Sequence, residues 1–168
     1  MPHLRTLLIA LLLLITAQCA QAQPAVERAR QTLQDIQGFY LTVDVEGTRG
    51  LTQEPLLDVA TIRRRVAERL TAAGLHIIEA TEMVEGERVP NLYVHINMLD
   101  AGEGIVPFAV NTQFFQQVQL AEQRIAAVAS TWDTGLVGVV SYDTLELIGD
   151  TAVTSVTNFI DDYIAVNR

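Results

Sequence analysis

The stretch Phe39-Tyr40-Leu41-Thr42-Val43-Asp44-Val45-Glu46 changes side-chain chemistry at every step. Phe39, Leu41, Val43 and Val45 share one parity, and Tyr40, Thr42, Asp44 and Glu46 the other, which is the period of a strand with one dry face. Beyond a turn at Gly47 to Gly50 the period changes. Thr52 is placed as an N-cap with Pro55 in the first turn, and Leu56, Val59, Ile62, Val66, Leu70 and Ala73 recur at helical spacing. Gly74 then ends the helix in a left-handed cap. Leu75 to Met83 reads as a second strand, so strand, helix and strand with short joins predict a parallel crossover.

Downstream, Glu85 to Pro90 is a polar loop and Asn91 to Asp100 a third strand, with Leu92, Val94, Ile96 and Met98 on one face. Ala101 to Gly104 is a turn. Phe108 to Leu120 follows as a long fourth strand, with Phe108, Val110, Thr112, Phe114, Val118 and Leu120 sharing a face that only Gln116 interrupts. Arg124 to Trp132 reads as a fifth. The chain closes with a helix over Thr144 to Val166, where Asp143 and Glu146 fit a capping box and Gly149 marks a break or kink. Leu145, Ile148, Ala152, Val156, Phe159 and Tyr163 form its apolar stripe. The expected fold is α+β, a two-layer sandwich with a mixed five-stranded sheet and two helices on one face, in the order βαββββα.

The amino terminus carries an address. His3 and Arg5 precede the apolar run Leu7 to Ile15, and Ala20-Gln21-Ala22 supplies a small-residue cleavage pattern, the layout of a secretory signal. The run is about nine residues against the roughly twenty of a spanning helix, so a permanent transmembrane anchor is not expected. Cys19 follows the run as a lipoprotein cysteine would, but Gln18 stands where that processing wants a small residue. Residues 1–22 are therefore expected to be removed, with 23–37 a polar lead-in that forms a loose helix at most and 38–168 one domain. Cleavage after Ala22 leaves no cysteine, so the core alone must hold the fold. A periplasmic or secreted location follows.

The net charge is −9 and every basic side chain apart from histidine is arginine. Such a chain repels phosphate backbones, which argues against nucleic acid as a partner. Asp133-Thr134-Gly135 matches the aspartic-protease tripeptide, where paired carboxylates share a proton. The surrounding residues do not fit that family, and the tripeptide reads as a turn at a strand end. Asp133 is the catalytic carboxylate of a hydrolase alternative. His76 and His95 are the candidates for a small-ligand or metal carrier, although a useful site wants three or four ligands. Ser130 and Ser141 lack a nucleophile elbow, and Asp161 and Asp162 diverge by about 100° around a helix, which makes them a solvated face. No cofactor motif is present.

Two surfaces stand out. Arg63, Arg64, Arg65 and Arg69 form the basic cluster of an acidic chain, suited to an anionic partner. Asn111, Gln113, Phe115, Gln117 and Gln119 form an uncharged, amide-rich strand face able to bond a peptide, a glycan or a second copy of the sheet. The segments Arg69-Leu70-Thr71-Ala72-Ala73-Gly74-Leu75, Asn91-Leu92-Tyr93-Val94, Thr131-Trp132 and Phe159 to Asn167 resemble a loose group of small exported bacterial proteins with no assigned activity. In element order the chain is similar to small envelope modules such as the amino-terminal domain of the Tol-system periplasmic protein, a likeness that implies fold and no function. The expected function is a non-enzymatic periplasmic binding or envelope-accessory module, its partner an envelope protein, peptide or glycan, with a homo-oligomer through the sheet as a further possibility.

Overall fold

The computed structural model describes residues 25–53, 57–79 and 89–168. The segment expected to be an export signal, with Cys19, lies outside them. Helix α1 spans 25–31, followed by β1 (Tyr40–Gly47), α2 (Val59–Ala72), β2 (Asn91–Met98), β3 (Ile105–Gln119), β4 (Ala126–Ser141) and α3 (Glu146–Asn167), with 3-10 turns at Leu51–Gln53 and Tyr142–Thr144. The fold is α+β with a mixed sheet in the order β1-β2-β3-β4, the first pair parallel and the others antiparallel.

Register explains the single dry face. Rows running across the sheet join Leu41, Leu92, Phe114 and Trp132, then Val43, Val94, Thr112 and Thr134, then Val45, Ile96, Val110 and Leu136. These parities are the buried ones on the first three strands. Helices α2 and α3 cover this face with Ile62, Val66 and Leu70 from the first and Ile148, Ala152, Val156 and Phe159 from the second. Phe159 is the hub: its ring centroid lies 5.4 Å from Phe39, 5.2 Å from Phe114 and 5.2 Å from Trp132. Edge-to-face and tilted pairs of this kind add to simple burial.

Several expectations need correction. Among the described residues the sheet has four strands, not five, and there are three helices, not two. Of the expected strand Leu75 to Met83, residues 80–83 lie outside the described residues, and the described part makes one parallel bridge, Ile77 to Phe39. Farther along this edge the Leu41 carbonyl accepts Arg63 Nε at 3.3 Å. Helix α2 starts at Asp58 rather than Thr52, because the Asp58 carboxylate accepts the Thr61 N–H at 2.8 Å. The helix ends as expected at Gly74, φ +86°, with Leu75 N–H bonding the Leu70 carbonyl and Gly74 N–H that of Thr71.

The strand expected over Arg124 to Trp132 runs on to Ser141, so Asp133-Thr134-Gly135 is mid-strand and no turn. Pairing with β3 persists for the length of that strand, interrupted by a bulge at Thr131 opposite the Phe114/Phe115 step. Two glycines of β4 lie directly under side chains of β3. A Cβ on Gly138 would sit 2.7 Å from the Phe108 ring, and one on Gly135 would sit 2.7 Å from Asn111 Oδ1. The cap before α3 is Ser141 with Thr144, not Asp143 with Glu146: the Thr144 hydroxyl lies 3.3 Å from the Ser141 N–H and 3.1 Å from its hydroxyl. Residues 25–37 pack closely on α3. Leu33 is fully buried, Tyr163 donates its hydroxyl to the Ile36 carbonyl at 2.6 Å, and Asn167 donates to the Leu33 carbonyl at 2.9 Å.

The buried polar pair is Thr112 and Ser155, whose hydroxyls are 2.8 Å apart. Ser155 spends its proton on the Ala152 carbonyl at 2.8 Å, so Thr112 must be the donor between them. Ser155→Ala strands that donor and should cost about 1–3 kcal/mol in denaturant melts, whereas Thr112→Val leaves no donor unpaired and should cost clearly less. Helix α3 runs through Gly149 without a break, and a Cβ there would make ordinary contacts at 3.6 and 3.8 Å with Ile62. Gly149→Ala should therefore stabilise the fold by about 0.5–1 kcal/mol, read as a raised unfolding midpoint.

Candidate functional site

The opposite face of the sheet carries no helix among the described residues, and it gathers the polar parity of every strand. Its rows are Tyr40, Asn91, Phe115 and Ser130, then Thr42, Tyr93, Gln113 and Asp133, then Asp44, His95, Asn111 and Gly135, then Glu46, Asn97, Ala109 and Val137. The expected surface residues Asn111, Gln113 and Phe115 thus stand in the middle of this face. Gln117 and Gln119 lie farther out, because β2 pairs with β3 only as far as Phe115 and the ribbon of β3 and β4 continues alone.

Tyr93 organises the centre. Its ring stacks on His95 with centroids 5.6 Å apart and planes 12° from parallel, and meets Phe115 edge-on at 6.3 Å. The Tyr93 hydroxyl donates to Asp44 Oδ2 at 3.1 Å, and Thr42 donates to Asn91 at 3.1 Å. His95 Nε2 is 3.3 Å from Glu46 Oε2, yet it is buried without an aligned acceptor. The approach lacks hydrogen-bond geometry. Burial first, then the hydrogen bond to Asp44 and the charges of Asp44 and Glu46, push the Tyr93 phenol above its ordinary pKa. The face therefore grades from carboxylates on β1, through aromatics and amides on β2 and β3, to exposed valines on β4. Sequence reading identified the β3 residues but missed Tyr93, although its place two residues before His95 puts both on one face.

The other candidates are dispersed. His76 sits beside Gly38, where the strand partners of Phe39 begin, while His95 pairs with Asp44 five residues along β1, so they lie about 16 Å apart along the strand. No group of three or more metal-ligating side chains occurs among the described residues. Asp133 is exposed opposite Gln113. Of the arginines, Arg63 reaches the Leu41 carbonyl and Glu79, Arg64 pairs with Glu68 at 2.9 Å, Arg65 with Asp150 at 2.7 Å, and Arg69 bonds Thr157 at 2.7 Å. They fan out, and Arg65 and Arg69 clamp α2 to α3.

Behind β4 lies a cleft of about 680 Å³ lined by α1, Trp132, Asp133, Thr134, Asn158, Asp161 and Asp162. Asp162, expected to be a solvated surface acid, is here the bridge between elements. It accepts Trp132 Nε1 at 2.9 Å and Arg30 Nε at 2.7 Å, and that hydrogen bond, then the charge, raises the Arg30 pKa. A neighbouring stitch joins Gln116 to the Thr32 carbonyl at 2.9 Å and to Thr131 Oγ1 at 2.7 Å. The acid in this cleft that contacts other elements is thus committed to packing.

Fold and site together define a two-layer α+β module with one open sheet face. No protein-family model and no curated protein matches the chain.

The Tyr93 shift is testable. A raised folded pKa means that the neutral phenol's contribution to stability is intact below the ordinary tyrosine range and is lost as pH rises through the raised value. Alkaline absorbance titration should show a late-ionising phenol that Tyr93→Phe removes and Asp44→Asn shifts to lower pH.

Proposed function

We propose that this chain is an exported, non-enzymatic binding module of the cell envelope that docks a protein partner on the open face of its sheet. The observation that carries this reading is the row of Tyr93, His95, Phe115, Gln113 and Asn111 on a face that no described element covers. Aromatic rings with a polar handle, set among uncharged amides, are the composition of an interface centre, where charge is depleted. The cleft of about 680 Å³ lies behind β4 rather than on this face. Small ligands take concave sites, so an open sheet face fits a macromolecular surface better. Export is the expectation from residues 1–22, and among the described residues no helix is long and apolar enough to cross a membrane.

The test is cross-linking of the protein in its own envelope, with partners identified by mass spectrometry. Phe115→Glu combined with Gln117→Glu should abolish partner recovery while circular dichroism remains native, because neither side chain belongs to the buried core. Unchanged recovery would count against this face.

A further inference from the structure

The two edges of the sheet differ. On β1 several outward groups are occupied: Phe39 by the 76–78 segment, the Leu41 carbonyl by Arg63, and the Val45 N–H by Asp44 Oδ1 at 3.0 Å. On β4 they are not. Tyr142 N–H bonds the Gly104 carbonyl, while the carbonyls of Ile105 and Pro107 point toward the β2 side. The even residues of β3 therefore bond β4, and the partners at Asp133, Gly135, Val137 and Val139 direct N–H and C=O outward. Among the described residues no hydrogen bond reaches those outward groups at Gly135, Val137 and Val139. Val137 is 84% exposed and Val139 67%. An open, uncharged, β-branched edge of this kind is a template for another strand.

We infer that this edge pairs two copies of the chain, β4 against β4 in antiparallel register about a two-fold axis at Val137, joining two four-stranded sheets into one. Charge selects the occupant. The chain carries −9, so two copies repel unless the meeting surfaces lack charge. From Gly104 to Tyr142 the charged residues are Glu122, Arg124 and Asp133 alone, and Thr134 to Tyr142 has none. The helix flank above the edge continues the neutral band: Asn158 bonds Thr134 at 3.4 Å, and Thr151 and Leu147 precede it on the same side of α3.

The register follows from what is already occupied. With the axis at Val137, Gly135 faces the partner's Val139 and Asp133 faces the partner's Ser141, so the two Asp133 carboxylates do not meet. Thr131, whose carbonyl already accepts Thr32 Oγ1 at 3.3 Å, falls outside the ladder. An axis at Gly135 would require that carbonyl. Because a two-fold axis uses the β4 edge of each copy once, this pairing closes at a dimer. The two Tyr93 faces then lie side by side on one continuous surface, which gives any partner of that face two points of attachment.

Sedimentation equilibrium of the purified protein should return twice the mass of one chain, and hydrogen exchange should be slow at Gly135, Val137 and Val139. Val137→Lys and, separately, Val137→Pro should halve the mass and release those amides. The proline removes an N–H that the intrachain ladder does not use. Phe115→Glu should remain a dimer, which separates this contact from docking on the sheet face. A single-chain mass for the unaltered protein overturns the proposal, as does a dimer that survives both Val137 variants.

Discussion

Phe159 meets Phe39, Phe114 and Trp132, which stand at the start of β1, in β3 and in β4. One ring on α3 thereby fixes the helix against strands from both edges of the sheet, and every other placement is built around that seat. One turn later Asp162 takes the Trp132 indole N–H and the Arg30 guanidinium, which draws residues 25–37 onto the same end of the helix. With the fully buried aromatic rings gathered on one side, the other side keeps its polar parity in the open. The candidate face is what remains when a single hub satisfies the core.

Alternation made Phe39 to Glu46 and Asn91 to Met98 legible as strands, and it placed Asn111, Gln113 and Phe115 on the polar face. Gly74 was equally readable, since only a left-handed residue closes that helix end. The failures share a cause: tertiary contacts decided what local pattern left open. The bulge at Thr131 shifts parity in mid-strand, so β4 seemed to end there. Gly135 and Gly138 resemble turn residues until Asn111 and Phe108 are seen lying across them. Of the strand expected after Gly74, the described part keeps one bridge, Ile77 to Phe39. Asp162 looked like one of two surface acids because its partners, Arg30 and Trp132, are 132 and 30 residues away.

The arginine triplet also changes meaning. Three consecutive cations in an acidic chain invite an anionic ligand, but on a helix they point in different directions. Arg63 bonds the Leu41 carbonyl on the β1 edge, Arg65 reaches across to α3, and Arg64 stays on the solvated surface with Glu68. With no disulfide in the described residues, such ties between elements complement the apolar core.

Beyond Phe115 the ribbon of β3 and β4 extends past the end of β2, with Gln116 to Gln119 paired to Ala129 to Ala126. A pair of strands with no third neighbour and no helix beneath it is barely stable in water. What steadies its base is the Gln116 amide clasped between Thr32 and Thr131. The far tip therefore behaves as a pliant finger on a stiff palm, able to change its angle while the sheet behind it keeps its shape.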